Sequence, residues 1–348
     1  MTRDLAATTL ALCAIPSVTG DEATLCDHVA SWAAASVPDC EARRIGQSLM
    51  LLPTRREGRP CVGLFGHLDT VLPSSDQPLE VRDGRVYGCG ASDMKAGLAV
   101  MMAMLERRHI YSADLLAVFY DREEGPMDES GLPAVLEQLP SIDLAVMLEP
   151  TANRLQLGCV GSLHARVRFP GRRAHSARPW QGDNALYKAL PLLARLRDRQ
   201  PRQVMVEDLP FHEVMTPTMA LTRNSRNVVP DVFELNLNFR FAPGRDVADA
   251  IDELRAAVGA DGEVEIVDAA PSGAVSRSHP LVMRWIERAA LACESKQAWT
   301  DVARLTAMGV AAVNMGPGNP AQAHQAGEHV DIAALDEGLR VLEALVAG

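Results

Sequence analysis

The chain lacks the marks of a nucleic-acid, membrane or secreted protein. It has no run of Lys or Arg, and its formal charge of −11 with a pI near 5.3 argues against a phosphate-backbone partner, which selects positive charge gathered on one face. No stretch approaches the ~18 apolar residues of a membrane span, so no membrane partner is expected. Seven cysteines, Cys13, Cys26, Cys40, Cys61, Cys89, Cys159 and Cys293, are odd in number, widely spaced and without a C-x-x-C pair. They give no disulfide framework and no thiolate cluster, and all seven read as reduced, buried packing residues of a cytoplasmic protein. Internal repeats and low-complexity tracts are also missing. Leu5–Ile15 could pass for a short leader, but Asp4 and the lack of a small-x-small cleavage site before a polar start argue against one. Thr19-Gly-Asp-Glu22 reads instead as a capping box opening a second helix.

What is present is apolar material for a large core. At 348 residues and 47% apolar content, the chain suits two domains better than one. Apolar runs at Ser48–Leu52, Cys61–Phe65, Leu115–Tyr120 and Asp143–Leu148 alternate with helical patterns at Glu22–Ala35, Met94–Arg108 and Ser130–Gln138. This alternation predicts an α/β fold with a mostly parallel central sheet. A further strand, Ala311–Met315, and a final helix, Ile332–Val346, come only near the C-terminus. Between them the order is strand Leu163–Phe169, helix Asn184–Arg197, strands Pro217–Thr222 and Phe233–Phe241, helix Val247–Val258 and strand Glu263–Val267. That β-α-β-β-α-β series predicts a ferredoxin-like insert over residues 162–269, splitting a larger domain into 1–161 and 270–348. Pro and Gly punctuate both crossings, at Leu157–Gly161 and Ala270–Gly273.

In an open α/β sheet, ligands bind beyond the carboxyl ends of the strands, and here those ends carry metal-ligand chemistry. His67 and Asp69 follow Cys61–Phe65, Glu123 and Glu124 follow Leu115–Tyr120, Glu149 follows Asp143–Leu148, and His324 lies beyond Ala311–Met315. Asp93 sits just before the helix at Met94. Singly, each has an ordinary alternative: a surface histidine, a solvated acid pair, an N-cap for Asp93 or a turn-capping Asp69. Jointly they point to a metal centre, and imidazoles with carboxylates suit Zn²⁺, with Co²⁺ or Mn²⁺ able to substitute. One metal with three ligands leaves carboxylates idle. Two, about 3.5–4 Å apart and sharing a carboxylate, use them all.

The segments Gly66-His-Leu-Asp-Thr70, Gly88-Cys-Gly-Ala-Ser-Asp-Met-Lys-Ala-Gly97, Glu123-Glu-Gly125, Leu148-Glu-Pro150 and Ala174-His-Ser-Ala177 resemble, in order and over nearly the whole chain, the motif series of the zinc aminoacylase and carboxypeptidase G2-like metallopeptidases. The resemblance implies a zinc-exopeptidase-like catalytic domain whose insert serves as lid and dimerisation domain. It implies two zinc ions per chain, His67 and Glu149 on one, Glu124 and His324 on the other, and Asp93 bridging. It further implies Glu123 as general acid/base, Asp69 holding the His67 tautomer, and His175 as an oxyanion donor supplied by the neighbouring subunit of a homodimer.

Within that family, Ala174–Trp180, Asn227–Asp231, Asn238–Pro243, Trp299–Arg304 and Gly316–Pro320 running into Ala323-His324 resemble the desuccinylases of high-GC Gram-positive bacteria. The implied substrate is a small N-acyl amino acid, N-succinyl-LL-2,6-diaminopimelate, with three carboxylates and one free amine. Arg178, Arg240 and Arg304 would bind carboxylates bidentately, with Asn227 and Thr300 as polar positioning groups; structural ion pairs are the alternative for each arginine. Deacetylation of acetylornithine, hydrolysis of another N-acyl amino acid, and a non-catalytic binding protein of the same fold stay open.

Overall fold

The computed structural model describes residues 3–347 and divides the chain into two units. The first comprises Met1–Leu157, Ser276–Glu294 and Met308–Gly348, and the second Gly158–Val275 with Ser295–Ala307. The second unit therefore takes in a C-terminal segment, Ser295–Ala307, that lies outside the 162–269 span read from the sequence.

In the first unit, the strands Asp114–Tyr120, Cys61–His67, Leu144–Met147 and Ala312–Asn314 lie side by side and parallel. All residues of these four strands are buried, which explains their unbroken apolar runs: helices cover both faces of a parallel sheet, leaving no polar face to alternate with. Antiparallel strands flank the parallel core, with Glu41–Ile45 and Ser48–Leu52 on one side and Leu155–Leu157 on the other. The helix Lys95–Glu106 is buried from Lys95 through Leu105 and packs with Leu5–Cys13 and Ile332–Val346. The segment weighed as a leader is thus a packed helix, with Leu5, Thr9 and Leu12 buried.

One local reading needs correction. The second helix runs Ala23–Ser36, and Glu22, at its N-cap, makes no side-chain cap bond; Thr19 and Glu22 bond elsewhere, as described below. The helix Pro280–Ala289 and the strand Arg202–Val206 are additions to the elements read from sequence.

The second unit carries an antiparallel sheet in the order Arg202–Val206, Leu209–Leu221, Val232–Phe241, Gly161–Pro170, Glu263–Ala270. Alternation decides its faces. Leu163, Ala165, Val167 and Phe169, with Leu235, Leu237 and Phe239, meet the buried Ala185, Leu192, Ala250 and Leu254 of the helices Ala185–Lys188, Leu190–Asp198 and Val247–Val258, and Ala189 between the first two. Arg166 and Arg168, on the other face, pair with Glu265 and Glu263. The strand expected at Pro217–Thr222 is the end of the longer Leu209–Leu221, which turns out of Arg202–Val206 through Glu207 and Asp208, both left-handed.

All seven cysteines are free. Cys26, Cys40, Cys61 and Cys159 are buried; Cys13, Cys89 and Cys293 are only partly so, which corrects the expectation that all seven are core residues. Burial pushes the Cys13 thiol up to about 12, so it is not a thiolate at neutral pH. No helix among the described residues is long and apolar enough to cross a membrane.

Candidate metal centre

His67 ends the strand Cys61–His67 with its side chain 1% exposed. Its Nδ1 lies 3.0 Å from the Asp69 carbonyl oxygen and 3.5 Å from Oδ1 of the Asp69 carboxylate. A carbonyl only accepts, so Nδ1 carries a proton and Nε2 faces Asp93 Oδ1 at 3.2 Å. The nearer partner of the ring is therefore the backbone of Asp69 rather than its side chain. The carboxylate also braces the neighbouring acidic segment. Oδ1 accepts from the Glu123 amide (3.0 Å), and Oδ2 from the Glu124 amide (2.9 Å) and the Thr19 hydroxyl (3.0 Å). Burial alone would raise this acid, but the His67 interactions and the two amides outweigh it and hold it below the ordinary carboxylate range.

Glu123 and Glu124 follow the strand Asp114–Tyr120 in a bend rather than an extended segment. Arg122 is left-handed (φ 59°), and its amide donates to Glu22 Oε1 at 3.2 Å, which also accepts from Gly20 at 2.6 Å. Thr19 and Glu22 thus brace this bend, which is why they do not form the expected capping box. Glu124 Oε1 lies 2.7 Å from His324 Nε2.

Asp93 is not an N-cap: Met94 holds that position for the helix Lys95–Glu106. Its two oxygens reach both histidines, Oδ1 toward His67 and Oδ2 3.9 Å from His324 Nε2. One donor atom each from His67, Asp93 and Glu124 falls within 4.8 Å of the others. Glu149, just past Leu144–Met147 and 7% exposed, raises the His67 pKa through its charge.

The electrostatics fit a divalent cation. Burial opposes charge on His67, yet Asp69, Asp93 and Glu149 raise its pKa well above the ordinary imidazole value. For His324, burial is likewise outweighed by Glu124, with Asp93 assisting. Glu124 is raised by burial, and further by Asp93 against the pull of His67. Buried acids and imidazoles crowded together in this way are a charge arrangement that a cation would compensate, and every donor is an oxygen or an imidazole nitrogen, as Zn²⁺ accepts.

The loop that follows the strand Ala312–Asn314 passes close to two of these segments. Ala152 donates to Gly318 O at 2.7 Å, and Ser92 Oγ donates to Asn319 O at 2.9 Å. A β-carbon on Gly318 would overlap the Ser92 carbonyl and meet Pro150. We predict that Gly318→Ala destabilises the chain by about 1–3 kcal/mol through overpacking, read as a lower urea midpoint with an unchanged slope.

The other site candidates lie in the second unit. Ala174–His175 pairs with Val228–Val229, and Ser176 donates to the Asn227 carbonyl at 2.8 Å, which brings His175 and Asn227 together. The Ala177 amide donates to His175 Nδ1 at 3.1 Å, so the neutral ring carries its proton on Nε2 as a donor. Arg178 and Arg240 make no ion pair among the described residues; Arg240 Nε donates to Asn238 Oδ1 at 3.0 Å, and burial lowers its pKa. Arg304 pairs with Asp301 at 2.7 Å and covers the Trp299 ring, a structural ion pair rather than an open cation. Thr300 is buried, and among the described residues its hydroxyl meets no hydrogen-bond partner, while its carbonyl accepts from Cys159 Sγ at 3.6 Å.

The sequence reading missed Glu328. It lies four residues beyond His324, a spacing that could have drawn attention to it, and its carboxylate accepts the amides of Gly90, Ser92 and Asp93.

Residues 63–348 match the model for peptidase family M20/M25/M40. A protein of Mycobacterium tuberculosis H37Rv, provisionally named a succinyl-diaminopimelate desuccinylase, is 35% identical over 98% of this chain and 97% of its own. The succinyl-diaminopimelate desuccinylase of Corynebacterium glutamicum is 33% identical over 94% and 92%. A dinuclear metal-binding M20 peptidase of Bacillus subtilis shares the fold at 15% identity, with a TM-score of 0.72 over 98% of this chain and 96% of that one. The chain belongs to peptidase family M20/M25/M40.

Proposed function

We propose that this chain is a cytoplasmic two-zinc amidohydrolase that cleaves N-succinyl-LL-2,6-diaminopimelate to succinate and LL-2,6-diaminopimelate. The observation that carries the reading is the convergence of His67, Asp93 and Glu124, with His324 on Glu124, at the carboxyl end of the parallel sheet. The names of the relatives at 33–35% identity support the substrate. His67 and Glu149 would hold one ion, Glu124 and His324 the other, with Asp93 between them; Co²⁺ or Mn²⁺ would substitute. When bound, the ions would polarise the acyl carbonyl and acidify the attacking water toward a pKa of about 7.

The chain's own residues supply the remainder. Glu123 takes a proton from the water as its oxygen bonds to the acyl carbon, and returns it to the nitrogen as the C–N bond breaks. Asp69 keeps that glutamate in place through its backbone amide. The second unit, read as a ferredoxin-like lid and dimerisation domain from its β-α-β-β-α-β order, presents His175, whose Nε2–H would stabilise the oxyanion in the partner subunit's site. Arg178 and Arg240 would take substrate carboxylates, with Asn227 and Thr300 as polar contacts. Arg304 would have to exchange Asp301 for substrate to serve the same purpose.

Comparing kcat/KM on N-succinyl-LL-2,6-diaminopimelate, N-acetylornithine and simple N-acyl amino acids tests the substrate assignment. Preference for the succinylated diamino acid is expected. Preference for N-acetylornithine would move the chain to a deacetylase role while keeping the metal chemistry. Arg178→Lys and Arg240→Lys are each expected to raise KM by about tenfold, since Lys keeps the charge but loses the bidentate fork, with zinc content unchanged. Wild-type KM in both variants would place the carboxylate contacts elsewhere.

A further inference from the structure

Glu328 is 3% exposed and makes no ion pair among the described residues, an expensive position for a carboxylate unless other donors compensate it. The compensation is three backbone amides of one loop. Oε1 accepts from Ser92 at 2.8 Å and Asp93 at 2.9 Å, and Oε2 accepts from Gly90 at 2.8 Å. The Glu328 carbonyl accepts from Gly88 at 3.2 Å, so the same residue holds both ends of Gly88–Asp93. It also sits four residues beyond His324 and just before the strand His329–Asp331. Asp93 and His324, which approach one another from distant parts of the chain, are therefore linked through Glu328, by its carboxylate to the Asp93 loop and by four residues of backbone to His324.

Three converging N–H groups require an acceptor on both oxygens. A glutamine would turn an NH₂ toward at least one of them, and a shorter aspartate would not reach all three. In its carboxylate form, which the three amides favour, Glu328 would also place a negative charge behind Asp93, where it would reinforce the attraction of the donor set for a cation.

We infer that Glu328 is a positioning residue of the metal centre, fixing the Asp93 loop against the His324 segment and strengthening cation binding without touching the ion. This rests on the metal-centre reading above. The test uses Glu328→Gln and Glu328→Asp in the full chain, with three measurements. These are amide hydrogen exchange at Gly90, Ser92 and Asp93 in chelator-stripped protein, zinc affinity by competition with a chromophoric chelator, and kcat and KM at saturating zinc. In Glu328→Gln, exchange at the three amides should accelerate at least tenfold, and zinc affinity should fall about 10- to 100-fold. KM should stay near wild type while kcat falls. Glu328→Asp, which keeps the charge, should lie between the two. Wild-type affinity in both variants, loss of affinity without faster exchange, or failure of both variants to fold without metal would overturn the inference, the last by making Glu328 a folding element only. A wild-type chain that binds no zinc would instead overturn the metal-centre reading and this inference with it, whereas normal wild-type binding with unaltered variants would overturn this inference alone.

Discussion

Glu123→Gln is expected to keep its metal ions and to lose about 10²–10⁴-fold in kcat, the range general acid–base catalysis contributes. The backbone explains why metal and turnover should separate. Asp69 binds the amides of Glu123 and Glu124 through its two carboxylate oxygens, so an amide side chain at position 123 leaves the segment, and with it Glu124, in place. Glu124 Oε1 meets His324, so Glu124→Gln should instead weaken one metal site. Elemental analysis beside steady-state kinetics separates the two outcomes: full zinc with little turnover for Glu123→Gln, and reduced zinc for Glu124→Gln. The same phenotype in both variants would remove the distinction between proton carrier and ligand.

The second large effect concerns His175. Every proposed metal donor belongs to the first unit and His175 to the second, and its Nδ1 is occupied by the Ala177 amide, leaving Nε2–H as a donor. If this donor serves the partner subunit's site in a homodimer, His175→Ala loses about 10²–10³-fold in kcat, as other enzymes do without an oxyanion donor. Mixing it with Glu123→Ala should then restore activity. After random exchange, half the dimers are mixed, and each mixed dimer has one site with both lesions and one with neither. Activity should return to about a quarter of wild type for a symmetric two-site dimer. If His175 acts within its own chain, every site keeps a lesion and the mixture stays inactive. An inactive mixture with heterodimers confirmed by native mass spectrometry would reject the shared site and leave the metal chemistry untouched.

The parts of the fold that were legible in the sequence share a physical cause. Cys61–His67, Asp114–Tyr120 and Leu144–Met147 are buried on both faces, so their apolar runs are unbroken and the residues just beyond them stand out as polar. His67, Glu123, Glu124 and Glu149 stand out in the sequence for this reason. Elements held by backbone geometry were harder to see. The turn at Glu207–Asp208 uses two left-handed residues but lacks the glycine that usually marks a two-residue hairpin, so Arg202–Val206 went unread. Thr19 and Glu22 have the spacing of a capping box, yet Thr19 bonds Asp69, while Glu22 accepts the amides of Gly20 and Arg122. Glu328 recognises backbone amides, which every residue except proline offers, so no side-chain pattern announces it. Arg304 shows the converse: its motif suggested a substrate contact, and the fold pairs it with Asp301.

The most direct measurement is succinate release from N-succinyl-LL-2,6-diaminopimelate by protein whose zinc content has been determined, before and after removal of the metal by a strong chelator. Two zinc ions per chain, loss of turnover on chelation and its return on adding Zn²⁺ are expected. Full succinate release by metal-free protein would contradict the two-zinc reading of His67, Asp93, Glu124, Glu149 and His324.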